Sequence, residues 1–116
     1  MHEMSLAQSI SEIVERVAKN NVASKVSRIK LTIGQLSGVD IPSLMQSLTI
    51  CSQNTIFEKA EFEIERTEGS AWCMDCAKTV PLERIGNACP SCGNYHLSIN
   101  GGTEFKVSEI ILETKE

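Results

Sequence analysis

The sequence predicts an α+β fold in which two helices pack on a three-stranded sheet and a four-cysteine module is inserted between two of the strands. Two segments repeat apolar residues at helical spacing, and three others alternate apolar and polar residues as half-buried strands do. Residues 68–102 differ, because they hold four of the five cysteines and five of the seven glycines but few large aliphatic side chains. Helices covering one face of a small sheet are typical of an α+β layer.

The first helix is predicted from about Ser5 to Asn20. Ser5 followed by Gln8 matches a capping box, which favours a helix that begins there. Residues 1–4 would then form a short free arm. The apolar positions at helical spacing are Leu6, Ile10, Ile13, Val14 and Val17.

The other elements of the layer follow in order along the chain. A strand is predicted over 29–33, and a second helix begins at Ile41, with Pro42 acceptable in its first turn. Cys51 falls on the apolar face of that helix and is expected to be a small buried hydrophobe. Strands over 60–65 and 105–112 complete the sheet, and the alternation of the last one slips near Ser108, as at a β-bulge.

The cysteine-rich segment cannot build an apolar core by itself, so a metal ion would have to organise it. The sequence therefore predicts two domains. Residues 1–67 together with 103–116 form one α/β domain, and residues 68–102 form an inserted metal-binding domain.

The cysteines occur as two CxxC pairs, Cys73-Met-Asp-Cys76 and Cys89-Pro-Ser-Cys92, with twelve residues between them. A gap of two residues lets both thiolates of a pair turn toward one ion, and two pairs complete a tetrahedral shell. The spacing therefore predicts a zinc ribbon with one closed, structural zinc ion per chain.

Two other interpretations of the cysteines stay open. A rubredoxin-like iron site uses the same four thiolates, and a redox dithiol is the weakest alternative. His96 lies four residues after Cys92 and could replace a thiolate, although an exposed loop histidine is the simpler expectation.

The first residues form a second candidate metal site. Met1 should be retained before His2, which leaves its amine free. That amine, the His2 amide nitrogen and the His2 Nδ1 can chelate one ion, and the Glu3 amide or carboxylate is placed to add a fourth donor. Such nitrogen-rich sets suit Ni(II) and Cu(II). Asp40 is a lesser candidate, better explained as the N-cap of the second helix.

Composition excludes several classes of function. No apolar run approaches the roughly 20 residues that span a bilayer, and the first residues do not resemble a signal peptide. The net charge of −4 argues against binding to nucleic acid. We therefore expect a cytoplasmic protein that binds neither membranes nor nucleic acid, and the absence of a nucleophile–base motif argues against an enzyme.

Taken together, the motifs resemble the hydrogenase nickel-incorporation family (HypA/HybF). The resemblance rests on the opening Met-His-Glu, the amphipathic helix after it, a strand that ends in IGQLSGVD, and the CxxC…CPxCG ribbon. It implies a nickel-binding α/β domain, an inserted zinc domain, and His2 as nickel ligand with Glu3 as its acidic neighbour. It also implies that Cys73, Cys76, Cys89 and Cys92 are the zinc ligands. Some family members carry a histidine just after each CxxC, where this chain has Ala77 and Gly93.

The resemblance further implies that nickel is cargo, delivered during maturation of nickel–iron hydrogenase and, in some organisms, of urease. The implied partners are a hydrogenase-maturation GTPase, the hydrogenase large subunit and urease accessory proteins, and a homodimer formed by strand exchange is conceivable. Two rival classes stay open: a zinc-ribbon protein-interaction adaptor without a nickel role, and an electron carrier with iron in the ribbon.

Overall fold

The computed structural model describes residues 2–114. Two helices and six strands follow one another in the order α1 (Glu3–Asn20), β1 (Ala23–Gly34), α2 (Ile41–Ser52), β2 (Glu61–Thr67), β3 (Ser70–Cys73), β4 (Lys78–Pro81), β5 (Leu97–Gly101) and β6 (Phe105–Thr114). The two helices, the three-stranded sheet and the inserted four-cysteine module confirm the predicted fold class. The module contains three short strands that the sequence did not predict.

The strands form two sheets with the orders β2-β1-β6 and β4-β3-β5. In the first sheet, residues later in β1 contact residues later in β2, since Thr32 bonds to Glu65 and Gln35 to Thr67. These two strands are therefore parallel. Contacts between β1 and β6 run in opposite order, so that pair is antiparallel; they join Ser24 to Glu113, Ser27 to Ile111 and Lys30 to Ser108.

The described residues divide into two compact units, of which the first comprises 2–31, 39–63 and 107–114. Its core is aliphatic, and the two helices contact each other. Phe57 is fully buried and meets the ring of Phe62 edge-on, with 6.4 Å between the ring centroids. The other buried apolar residues of this unit are Ala7, Ile10, Val14, Ala18, Val26, Ile29, Leu31, Leu44 and Leu48. This unit therefore has an apolar core of its own.

The second unit comprises residues 32–38 and 64–106 and has a much smaller core. One cluster joins Leu36, Ala71 and Leu82, with Leu97 packed against it. Leu97 also packs against a second cluster, formed by Val80 and three of the four paired cysteines. The cysteines thus supply much of what is buried here, as expected for a module that depends on a metal.

Three segments of the second unit meet at glycines. A methyl group on Gly34 would overlap the carbonyl oxygen of Gly102, and one on Gly69 would overlap that of Leu82. Backbone hydrogen bonds cross the same place, from Gly34 N–H to the Glu104 oxygen and from Leu36 N–H to the Gly102 oxygen, both 2.7 Å. Only glycine lets the backbones approach this closely.

The predicted start of the first helix was wrong. α1 begins at Glu3, with His2 as its N-cap residue, so Ser5 is helical and residues 3 and 4 are not part of a free arm. Met1 lies outside the described residues. The sequence signal at Ser5 was local, whereas Glu3 is fixed by a contact with Asp40.

No helix of the described chain is long and apolar enough to cross a membrane.

Candidate metal centres

The four cysteines of the two CxxC pairs come together at one point in the second unit. Their Sγ atoms all lie within 4.8 Å of one another. Cys73 stands at the end of β3, Cys76 in the turn before β4, and Cys89 and Cys92 in the loop before β5. Among residues 2–114, no other group of three or more His, Cys, Asp or Glu side chains converges in this way.

The distances between the sulfur atoms fit a zinc ion. A tetrahedron with Zn–S bonds of about 2.3 Å has S···S edges of about 3.8 Å. The Sγ atoms of Cys73 and Cys92 are 3.7 Å apart, and those of Cys76 and Cys89 are 3.9 Å apart. Disulfides would require about 2.05 Å. The donor set and its spacing therefore fit one four-coordinate zinc ion, which would hold together strands that share little apolar surface.

Each CxxC pair forms a tight turn whose backbone N–H groups point at a sulfur. Cys76 N–H donates to the Cys73 Sγ and Ser91 N–H to the Cys89 Sγ, both at 3.4 Å. The residue after each pair has positive φ, 52° at Ala77 and 77° at Gly93. Glycine adopts this conformation freely, but alanine does so only at a cost.

Electrostatics also favours a cation at this point. The neighbouring thiol of Cys92, burial and the other two thiols raise the pKa of Cys76 to about 12. Burial acts to raise the pKa of Cys89 as well, but backbone hydrogen bonds from Cys92 and Ser91 outweigh it and lower that pKa to about 6. Four thiols this close cannot all ionise alone, and a divalent cation would stabilise all four thiolates.

His96 is not part of the cysteine cluster. Its Nδ1 lies 2.8 Å from the Asp75 carboxylate, and its side chain is 71% exposed. Because a carboxylate can only accept, the Nδ1 carries the proton of this hydrogen bond. The arrangement fits the exposed-histidine expectation and does not bring His96 into a shell with the four sulfurs.

The second candidate centre lies in the first unit, at the start of α1. His2 is exposed, whereas Glu3 is only 7% exposed, and its carboxylate accepts a hydrogen bond of 3.2 Å from the Asp40 backbone N–H. This contact brings the start of α2 to the start of α1. The Met1 amine, which the sequence also assigns to this centre, lies outside the described residues.

Asp40 occupies the N-cap position predicted for it, but its side chain makes no capping hydrogen bond to the α2 backbone. Instead, its Oδ2 accepts a hydrogen bond of 2.6 Å from the Ser43 hydroxyl. Asp40 therefore occupies the predicted N-cap position, but its carboxylate does not form the hydrogen bond by which an N-cap residue normally acts.

Two features differ from the sequence predictions, one at the start of α1 and one at Cys51. Glu3 was considered only as a donor to metal, and its contact with Asp40 could not be read from local spacing. Cys51 is half-buried rather than buried, and its thiol lies 3.7 Å from the Met4 sulfur. A helical pattern shows which face a residue occupies but not how completely the neighbouring helix covers it.

The family model described as hydrogenase/urease nickel incorporation, metallochaperone, hypA matches residues 1–112. The hydrogenase maturation factor HypA of Azoarcus sp. (strain BH72) is 44% identical over 112 residues, covering 97% of this chain and 98% of that protein. The HypA of Rhodopseudomonas palustris (strain BisA53) is 43% identical over 110 residues, covering 95% and 97%.

The fold is also similar to a solved structure. The solution structure of the Ni metallochaperone HypA from Helicobacter pylori superposes with a TM-score of 0.69, covering 99% of this chain and 100% of that chain. The two sequences are 22% identical, so this similarity concerns the fold.

Proposed function

The chain belongs to the HypA family of hydrogenase/urease nickel-incorporation metallochaperones, and we propose that it holds one Ni(II) ion at the start of α1 through the Met1 amine, the His2 amide nitrogen and the His2 ring. The observation that carries this proposal is the contact between the Glu3 carboxylate and the Asp40 backbone. It supports the proposal because it anchors the residue next to His2 and joins it to Asp40, which carries a second carboxylate.

The position of His2 and Glu3 at the start of α1 supports ligation of nickel by their backbone nitrogens. The first N–H groups of an α-helix have no intrahelical partner. The amide nitrogens of His2 and Glu3 therefore do not belong to the hydrogen-bond ladder of α1, whereas the His2 carbonyl already accepts from Leu6 N–H at 3.0 Å. Metal binding at these nitrogens breaks no hydrogen bond of the helical ladder, although at Glu3 it would replace the hydrogen bond between the amide and the carboxylate of the same residue.

The Glu3 side chain has a positioning role in this proposal. Its carboxylate is nearly buried against the start of α2, so any donor that Glu3 supplies to nickel is its amide nitrogen rather than its carboxylate. The fourth donor is then the Glu3 amide or the Asp40 carboxylate.

Charge at the helix start favours amide nitrogens over neutral donors. The N-terminus of a helix carries partial positive charge, which repels a cation. Amides that lose their protons add negative charge at this point and offset the repulsion. Nickel binding therefore releases protons, and acid releases nickel, because protons compete for the amine, amide and imidazole nitrogens.

The decisive experiment uses the native N-terminus. Acetylation of the Met1 amine removes the basic nitrogen that closes a chelate ring with the His2 amide and adds no new amine. We expect acetylation to weaken nickel binding nearly as much as His2→Ala in calorimetric titrations, and a C-terminal tag to leave the affinity unchanged.

The possible outcomes separate the ligands. If His2→Ala abolishes binding and acetylation does not, the ring is a ligand and the amine is not. If neither change affects nickel affinity, nickel is held elsewhere and the proposed site is wrong. Zinc content should stay constant in all three proteins, because the cysteine cluster lies in the other unit.

In the cell, we propose that the nickel-loaded chain works in the cytoplasm with the hydrogenase-maturation GTPase, the hydrogenase large subunit and, where urease is present, its accessory proteins. The ribbon exposes Trp72, Met74 and Tyr95 at 44%, 71% and 71%. Aromatic residues and methionine are enriched in protein interfaces. Replacing these three residues by serine should reduce co-purification of the partners without reducing nickel affinity. Equal recovery of partners would exclude the ribbon as their docking surface.

A further inference from the structure

The start of α2 lacks both hydrogen bonds that normally stabilise a helix start. An N-cap side chain usually accepts from a backbone N–H two or three residues later, but the Asp40 side chain makes no such bond. In a capping box, the side chain at the third helical position accepts from the N-cap N–H. Ser43 holds that position, yet the Asp40 N–H donates to Glu3 of α1 instead. Departures from local rules of this kind are expected at functional sites.

The Ser43 hydroxyl holds the Asp40 carboxylate. The Ser43 Oγ lies 2.6 Å from the Asp40 Oδ2, and the hydroxyl is the donor because an ionised carboxylate can only accept. This bond draws the carboxylate to a side chain rather than to the backbone N–H groups of α2. It engages one of the two carboxylate oxygens, so the other, Oδ1, can bind a cation while Ser43 holds Oδ2. Carboxylates that bind metals are commonly hydrogen-bonded in this way.

Glu3 joins Asp40 to the start of α1. The Glu3 carboxylate accepts hydrogen bonds from its own amide and from the Asp40 amide. One carboxylate therefore bridges the backbone of the residue after His2 and the backbone of Asp40. Because the Glu3 amide is engaged in this bridge, the Asp40 carboxylate is the better candidate for a fourth donor to nickel.

From these contacts we propose that Ser43 is a positioning residue for nickel, which orients the Asp40 carboxylate so that its Oδ1 completes the donor set of the Met1 amine and the two His2 nitrogens. The inference rests on the proposed function and identifies its fourth donor. Ser43 itself does not touch nickel. Its hydrogen bond fixes the carboxylate before the ion arrives, so less conformational freedom is lost on binding.

The unused capping bond separates this role from a structural one. Without the Ser43 hydroxyl, the Asp40 carboxylate is free to rotate and to accept from the N–H groups of α2, as N-cap carboxylates normally do. Ser43→Ala should therefore weaken nickel binding without lowering the melting temperature of the nickel-free, zinc-loaded chain. A residue that only stabilised α2 would lower the melting temperature when replaced.

The test is calorimetric titration of nickel into the zinc-loaded chain with its native N-terminus. We expect Ser43→Ala to raise the dissociation constant about tenfold, as is typical of residues that orient metal ligands, and Ser43→Thr, which keeps the hydroxyl, to restore it. In an Asp40→Ala chain, Ser43→Ala should change nothing further, because residues that act through one contact are not additive. Ser47→Ala is the matched control: Ser47 lies one turn later in α2, is also half-buried, and should leave the affinity unchanged.

The outcomes distinguish this inference from the proposed site. If His2→Ala abolishes nickel binding and Ser43→Ala does not weaken it, the site stands and the role of Ser43 is overturned. Equal effects of Ser43→Ala in the native and the Asp40→Ala chains would also overturn it, because Ser43 would then act without Asp40. A lower melting temperature together with weaker binding would identify a structural role instead. If His2→Ala has no effect either, nickel is held elsewhere and both proposals are wrong.

Discussion

The cysteine cluster and the start of α1 offer two ways for one small chain to hold a metal ion. At the cluster, four side chains from β3 and two separate turns converge, and their sulfur atoms already have the spacing of a tetrahedral shell. At the start of α1, the proposed donors are consecutive atoms of the chain end, and only Asp40 comes from a distant part of the sequence.

This difference follows from what each unit has in its core. The second unit buries few aliphatic side chains and counts cysteines among its buried residues, so loss of the metal removes part of its core. The first unit is stabilised by aliphatic and aromatic side chains, independently of any metal. If nickel binds at the first unit as proposed, the chain can therefore take it up and release it while the ribbon remains folded around zinc.

The largest expected effect is that of Cys89→Ala. It leaves three ligands, and because zinc binding supplies the folding free energy of such modules, about 10–16 kcal/mol in zinc-finger peptides, β3, β4 and β5 should unfold. The first unit should stay folded. Amide NMR spectra and metal analysis test both statements.

Cys51→Ala is the matched control for that variant, since Cys51 lies outside the cluster, and it should leave about one zinc ion per chain. A folded ribbon in Cys89→Ala would contradict the dependence on metal. Stoichiometric iron with the red colour of ferric thiolate would instead identify the ribbon as an electron-transfer site.

The second-largest effect is expected for Gly34→Ala, which tests whether the metal alone stabilises the second unit. Gly34→Ala forces a methyl group against the Gly102 carbonyl, and we expect it to lower the free energy of unfolding of this unit by about 2–3 kcal/mol even with zinc bound. Gly38→Ala is the control: its Cβ would meet no atom within 4 Å, and its φ of +78° accounts for a smaller cost of about 1 kcal/mol. Equal losses in chemical denaturation would show that the close contact is unimportant.

A smaller effect, on nickel affinity, is expected at the proposed nickel site. Glu3→Gln keeps the size of the side chain but weakens its hold on the Asp40 backbone, and residues that orient metal ligands typically change affinity about 10- to 100-fold. Titration calorimetry should show weaker nickel binding than in the native chain but stronger binding than in His2→Ala. A loss as large as that of His2→Ala would indicate that the Glu3 carboxylate itself binds nickel.

The smallest expected effect is a gain in the stability of the zinc-bound ribbon. Ala77 has a φ of 52°, which costs an L-residue about 1–2 kcal/mol, and glycine removes that cost at the expense of a more flexible unfolded chain. We expect Ala77→Gly to stabilise the zinc-bound ribbon by about 0.5–1 kcal/mol and to slow zinc loss to a chelator. Faster loss would mean that the Ala77 methyl group makes a contact that outweighs the strain.

The sequence predicted well those features that depend on spacing. Two CxxC pairs in a segment with few large aliphatic residues are sufficient to predict that four sulfur atoms lie together, and the slip near Ser108 appears in the exposure pattern of β6. Prediction from sequence failed where a contact between residues far apart in the chain determines the local structure. Ser5 has the local signature of a helix start, but the bond between Glu3 and Asp40 lies across 37 positions of the chain. Strands β3 to β5 have only four or five residues each, too few for alternation to be recognised.

Leu36 has a consequence for anyone who wishes to transplant the cysteine ribbon into another protein. This side chain comes from the segment after β1, yet it is 5% exposed and packs with Ala71 and Leu82 beside the cysteines. A graft made of the continuous stretch around the two CxxC pairs would leave a cavity where Leu36 belongs. A working transplant has to carry two pieces of chain, or supply an aliphatic side chain from the recipient at that position.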